Sequence, residues 1–395
     1  MTVKYNFDEL IDRQKSDSVK WRSYGSDVLP MWIADMDFRS PEPVIQALRA
    51  RVDHGVFGYP EWNTTNTDLM RELGEVIVER MASLYGWTIH PDDLLYLPSV
   101  MTGFNLACHT LTPPHNGVFI QTPIYYPILH AARDTGRLYQ EMELTLNQDG
   151  AYSVDWDLFE CSLDERSRLF ILCNPHNPVG KVFTQDELLE VARICLRRGI
   201  TICSDEIHCD LLFDGHRHTP IASLDPEIAQ NTITLMAPSK TFNLPGLKCS
   251  FAIIPNPELR KQMIAAQQGL IFGVNILGLH AALAAYRDGA DWLSQLMPYL
   301  QANRDYLVDF VRQELPGISL ASPAATYLAW LNCRQANIPG NPGQFFLEKA
   351  GIGFNDGELY GKGGEGYVRL NFGCPRSVLA ESLNRMKNAL ENLPG

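Results

Sequence analysis

The 395 residues carry 33 lysines and arginines against 46 aspartates and glutamates, a net charge of −13. That acidic balance argues against sequence-independent nucleic-acid binding, which needs a clustered cationic face. The chain is long enough to bury a large core in about two domains, and no uninterrupted apolar run is long enough to span a bilayer.

The start, Met1-Thr2-Val3-Lys4-Tyr5-Asn6, lacks the apolar core of a secretion signal. Nine cysteines, spread from Cys108 to Cys374 without a CxxC pair, read as reduced core thiols. The expected address is the cytoplasm, with no membrane and no nucleic acid as partner.

In chain order, residues 31–38 (MWIADMDF) read as an extended arm with Asp35 and Asp37 between bulky apolar neighbours. Pro41 and Pro43 then open a helical pattern that these carboxylates are placed to cap. Residues 55–62 are dense in aromatics and turn formers, so they either cover core or present Tyr59 to a ligand or another subunit. A helix fits 68–85, with Leu69, Leu73, Val76, Ile77 and Met81 near helical spacing. A buried strand at 94–97 meets Pro98, and Ser99 opens the next helix. The free N–H groups and positive dipole end of such a start suit an anion, so a phosphate can rest on Ser99, Val100 and Met101; Ser99 also suits an ordinary N-cap.

A strand at 117–122 stops at Pro123, and Tyr125 follows, placed to pack or to stack on a planar ligand. The strand at 168–173 runs into Asn174-Pro175-His176-Asn177-Pro178-Val179-Gly180. Two Asn–Pro pairs and a glycine there force a fixed, non-helical path with two amides close by. Thr184 and Glu187 form a capping box before a helix whose Leu188, Leu189 and Ala192 share a face. The strand at 200–203 leads to Ser204-Asp205-Glu206-Ile207-His208-Cys209-Asp210, and the strand at 232–236 to Ala237-Pro238-Ser239-Lys240. A run at 250–255 reads as the last strand of the large domain.

These strand–loop–helix units predict a mainly parallel sheet covered on both faces. Polar chemistry recurs at the carboxyl strand ends, where α/β folds bind ligands: Ser99, Tyr125, Asn177, Asp205 and Lys240. From 267 to 315 the pattern is mostly helical and bridges to a smaller α+β domain. Strands are expected there at 327–331 and 367–372, with a mobile glycine-rich loop at 354–366 between them. The expected division is an arm with part of the small domain over 1–45, a large domain over 46–285 and a small domain over 286–395.

A lysine at a strand end is a candidate Schiff-base former, because burial lowers its pKa. Asp205, Glu206, His208 and Cys209 are also conceivable metal donors. Adjacent strand residues point to opposite faces, however, and no second His or Cys group stands at ligand spacing, so no metal is expected. The other reading is an aspartate facing a protonated heteroaromatic nitrogen. Joined to an asparagine near a ring oxygen, a stacked tyrosine, a phosphate at a helix start and a lysine for an aldehyde, it makes the set that holds pyridoxal 5'-phosphate.

In the order Ser99, Tyr125, Asn177, Asp205, Lys240, Arg369, the chain resembles the fold-type I, class I/II aminotransferase-like family of pyridoxal-phosphate enzymes. Within it, the chain is most similar to the MalY/PatB-type cystathionine β-lyases, or C–S lyases. That narrower resemblance rests on Asp35-Met36-Asp37-Phe38, Val56-Phe57-Gly58-Tyr59, Ser204-Asp205-Glu206-Ile207-His208, Val368-Arg369-Leu370-Asn371 and Gly373-Cys374-Pro375-Arg376. It covers nearly the whole chain and implies the fold-type I architecture: an α/β large domain on a mainly parallel seven-stranded sheet, plus a smaller α+β domain.

The resemblance further implies that Lys240 binds the cofactor aldehyde, Asp205 pairs with the pyridine nitrogen, Asn177 contacts the ring hydroxyl and Tyr125 stacks and assists catalysis. Ser99, Val100, Met101, His208, Ser239 and Lys248 complete the cofactor contacts. Tyr59 reaches the phosphate of the neighbouring subunit's cofactor, which implies a homodimer with shared active sites. Arg369 grips the α-carboxylate of an amino-acid substrate, a task suited to a planar guanidinium, and Ala34, Tyr59 and Asn177 share the substrate side. Two positions depart from the family pattern: Ala237 stands where many relatives have serine, and Lys248 where they have arginine. The activity implied is α,β-elimination from L-cystathionine, or from L-cysteine and its S-conjugates, to a thiol, pyruvate and ammonia. The alternatives are an aminotransferase and a regulatory protein that binds a transcription factor.

Overall fold

The computed structural model describes residues 3–61 and 67–393, so Trp62 of the aromatic loop lies outside the described residues. A seven-stranded sheet runs in the spatial order Leu94–Leu97, Ser250–Ile253, Thr232–Met236, Thr201–Asp205, Ser167–Cys173, Gly117–Thr122, Leu138–Glu143. All neighbours pair in parallel except Ser250–Ile253, which is antiparallel to both of its partners. This is the mixed α/β class expected from the alternating units.

The central strands are apolar on both faces because both faces are covered. Along Ser167–Cys173, Leu169 and Ile171 pack into one core with Phe104, Ile128 and Met263, while Phe170 and Leu172 pack into another with Phe159, Leu188 and Val191. Helix Val100–Leu111 lies so close to the sheet that a Cβ on Gly103 would stand 2.6 Å from a methyl of Leu235. Glycine there lets the helix start sit directly over the strand ends that carry Asp205 and Lys240.

Helix Asp68–Tyr85 has the bounds read from its periodicity, and Thr184 and Glu187 form the expected reciprocal cap of helix Gln185–Arg198. The predicted helical stretch from 267 resolves into Ile276–Asp288 and Ala290–Glu314, with residues 268–275 outside any helix. A second sheet pairs Leu328–Asn332 with Tyr367–Asn371 and that strand with Asn355–Asp356.

Two expectations need correction. Asp35 and Asp37 do not cap helix Glu42–His54, whose N-cap Pro41 receives no side-chain bond. They pair instead with Arg13 and Lys20, because two cations folded over the arm satisfy a buried carboxylate better than a helix end does. The glycine-rich segment is not a loose loop. It forms a short strand and the turn Gly357–Tyr360, anchored by Tyr360, whose ring is buried against Trp330 and Tyr126.

Candidate active site

The carboxyl ends of five strands that run in one direction and the arm converge on one cavity. Its lining contains Ala34, Ser99, Val100, Met101, Tyr125, Asn177, Asp205, His208, Ser239, Lys240 and Lys248, all named from sequence. Arg369 reaches the same place from the second sheet through Asn177, to whose Oδ1 its Nη1 donates at 3.0 Å. Tyr59 is the exception: it is 98% exposed and lines a separate crevice with Ile276 and His280.

Asp205 ends its strand and is 3% exposed. One backbone donor, Ile207 N–H at 3.2 Å, is the side-chain bond it receives, and it forms no ion pair among the described residues. Burial without a paired cation pushes its carboxyl up to about 7; the Ile207 N–H and the Lys240 amine pull it back in part, and Glu206 adds to the rise. A cation brought to that carboxylate would remove a standing desolvation cost.

Lys240 lies in the one-turn helix Pro238–Thr241, directly after strand Thr232–Met236. Burial lowers its amine to about 8; Arg369 and Lys248 act in the same direction, while Asp35 and Asp205 oppose them. The amine therefore has a substantial neutral fraction near neutral pH, as a nucleophile or base requires. Its Nζ donates to Ala34 O, which also accepts from Tyr327 Oη at 3.0 Å.

Of the two amides in the Asn–Pro loop, Asn174 is structural: its Oδ1 accepts from Phe183 N–H and its own N–H donates to Asp205 O. Asn177 alone faces the cavity. Tyr125 is tied to the same loop by its N–H to Asn177 O, at 3.0 Å, and burial raises its phenol above the ordinary value. His208 is 2% exposed and held neutral, with its pKa lowered to about 3 by burial and by the cations Lys240 and Arg369. Ser99 caps helix Val100–Leu111, accepting from Thr102 N–H, so the first backbone donors of that helix are presented at the cavity.

Arg369 is 2% exposed and sits 5.2 Å over the ring of Tyr360. Its Nη2 donates to Trp32 O at 3.0 Å and to Asn355 Oδ1 at 2.6 Å. Nε has no partner among the described residues. With Nη1 on Asn177, three of the five guanidinium donors are engaged, which leaves capacity for an incoming carboxylate. Asn355, Tyr327 and Tyr360 were not singled out from sequence. Asn355 and Tyr360 lie in the segment read as a mobile loop, where a single polar or aromatic residue among glycines carries no signal of its own.

These residues fit pyridoxal 5'-phosphate by their chemistry. A buried carboxylate lacks a cation, a lysine of lowered pKa stands in the same cavity, and a capped helix start lies beside Ser239 and Lys248. The two departures sit within this lining, with Ala237 contributing no hydroxyl and Lys248 keeping a positive charge there.

Comparison with known proteins agrees. The chain is 39% identical over 393 residues to the cystathionine beta-lyase PatB of Bacillus subtilis, covering 98% of this chain and all of that protein. The crystal structure of OvoB superposes with a TM-score of 0.93 at 44% identity, over 99% of this chain and 100% of that one. Cystalysin from Treponema denticola, solved with pyridoxal 5'-phosphate, gives a TM-score of 0.93 at 32% identity, over 99% of this chain and 100% of that one. Residues 27–386 match the profile of the aminotransferase class I and II family, and the chain belongs to that family.

Proposed function

We propose that this chain is a pyridoxal-phosphate-dependent C–S β-lyase that cleaves L-cystathionine, or L-cysteine and its S-conjugates, to a thiol, pyruvate and ammonia. The observation that carries the reading is one cavity holding both an amine lowered to about 8 and a buried carboxyl raised to about 7, with Arg369 beside it. Similarity to PatB along nearly the whole chain supports the lyase branch. The division into an arm over 1–45, a large domain over 46–285 and a small domain over 286–395 is part of the same reading.

When bound, the cofactor supplies a ring that accepts the electrons left behind as a proton leaves the carbon beside the substrate nitrogen. With the cofactor bound, Asp205 would balance the positive charge of its ring nitrogen and so keep that acceptor strong. Arg369 orients the substrate by its α-carboxylate, and its contact with Asn177 couples that grip to an amide that would also hold the cofactor. Lys240 takes the proton on Nζ and is the group placed to return it. Tyr125, which lines the cavity and whose backbone is fixed to the Asn177 loop, would offer its ring as a stacking face for the cofactor.

We also propose a homodimer. Tyr59 has no role in its own cavity, and Val56, Phe57, Leu270 and Phe272 are each more than half exposed. Met101 carries an exposed apolar edge to the cavity mouth itself. A second copy covering this surface buries those side chains and brings its Tyr59 to the site.

The test is turnover of cystathionine with no keto acid present. Sustained release of pyruvate and thiol over many turnovers is the expected result. Strict dependence on a keto-acid acceptor would overturn the lyase reading in favour of transamination.

A further inference from the structure

The arm touches the site through its backbone. Four consecutive carbonyls, from Trp32 to Asp35, each accept a side-chain donor. Arg369 Nη2 bonds Trp32 O, and Lys240 Nζ with Tyr327 Oη bonds Ala34 O. Asn371 Nδ2 donates to both Ile33 O and Asp35 O at 2.7 Å. Two of these donors are the lysine and the arginine on which the proposed reaction depends, so the depth of this short segment bears on both.

Behind the segment lies a group of charges that the reaction does not use. The side chain of Lys20 is 0% exposed; its Nζ donates to Asp37 Oδ2 at 2.6 Å and to Asp35 O at 3.2 Å. Asp37 also accepts from Trp21 Nε1 at 2.8 Å and from Arg13 Nη1, while Arg13 Nη2 reaches Asp35 Oδ2 at 2.8 Å. Burial alone would raise the Asp37 carboxyl, but Lys20 and Arg13 outweigh it and hold the group below its ordinary range. Buried ion pairs of this kind are often no more stabilising than apolar side chains of the same volume. The pair is therefore better explained by what it fixes than by the stability it adds.

We propose that Lys20 and Asp37 are positioning residues. Their buried pair sets how deeply the 32–35 backbone sits against Arg369, which bonds Trp32 O, and so tunes affinity for the substrate carboxylate. This rests on the assignment of Arg369 to that carboxylate. Lys20 is the direct link, since it bonds the Asp35 carbonyl and the Asp37 carboxylate at once.

The test compares Lys20→Met, Asp37→Asn and Arg369→Lys with the parent holoenzyme. Lys20→Met leaves Asp37 paired with Arg13 and Trp21, so no carboxylate is stranded. A small displacement of a substrate-orienting group is costly, so KM for cystathionine rises about tenfold in Lys20→Met with kcat little changed. Asp37→Asn moves KM in the same direction. Bound cofactor stays at parent level, and amide exchange at residues 31–37 accelerates, a readout independent of turnover. If KM rises in Arg369→Lys but stays at parent value in both arm variants, the pair is structural only and the proposal is overturned. If KM is unmoved in all three, the carboxylate assignment itself has failed and the proposal falls with it.

Discussion

Replacing Asp205 by asparagine should make the cofactor-free protein more stable while destroying its function. The carboxyl is raised from 3.8 to about 7 by burial, which at 1.36 kcal/mol per pH unit is on the order of 4 kcal/mol. The sign follows from the direction of that shift. A group whose folded pKa exceeds its unfolded value stabilises the fold below the unfolded pKa, and loses that contribution as pH rises through the folded one. The parent protein therefore carries a growing penalty from about pH 4 to about pH 7. Asparagine carries none, and its side-chain oxygen can still accept from Ile207 N–H. Lys240 loses the support of the Asp205 charge in the variant, so its amine is lowered further and a minor part of this gain is offset.

The assay is thermal unfolding of both cofactor-free proteins at about pH 5 and about pH 8. The variant should melt higher, and the gap between midpoints should widen at the higher pH. Added pyridoxal 5'-phosphate should reverse the order, because its ring nitrogen offers the charge that only the carboxylate can use. A gap that does not change with pH, or a less stable variant at the higher pH, would refute the view that Asp205 is a buried carboxylate lacking its cation.

Three other outcomes follow from the same geometry. Arg369→Lys keeps the charge but loses the fork that bonds Asn177, Trp32 O and Asn355. At about 3 kcal/mol for a lost charge-assisted contact, kcat/KM for cystathionine should fall about a hundredfold with the cofactor spectrum preserved. Mixing inactive Tyr59→Ala and Lys240→Ala subunits should regenerate activity if sites are shared, since one site of the mixed dimer is then intact; no recovery after verified subunit exchange would refute sharing. Thr184→Ala removes the cap that accepts from Glu187 N–H and should destabilise the protein by about 1 kcal/mol, seen as a lower unfolding midpoint with unchanged KM.

Much of this molecule can be read from its sequence, for identifiable reasons. Thr232–Met236 and Leu94–Leu97 are buried throughout, so their apolar runs match their observed bounds. Thr201–Asp205 runs two residues past the reading that stopped at Cys203, because Ser204 and Asp205 pair with Thr234 and Leu235 despite their polarity. Strand-end residues converge because parallel strands share one carboxyl edge, and their order along the chain survives folding. The arm was harder. Its acids sit next to a proline-started helix in sequence, but their partners Arg13 and Lys20 come from an upstream segment that local pattern does not connect to them. Asn355 and Tyr360 were hidden for a different reason: glycine neighbours suggested freedom, whereas close backbone packing around Gly357 and Gly364 fixes their path.

The most direct measurement is borohydride reduction of the protein loaded with pyridoxal 5'-phosphate, followed by peptide mass spectrometry. The account predicts permanent attachment of the cofactor to the peptide bearing Lys240, at that nitrogen. Attachment at Lys248, the other lysine of the cavity, or no attachment at all, would contradict it.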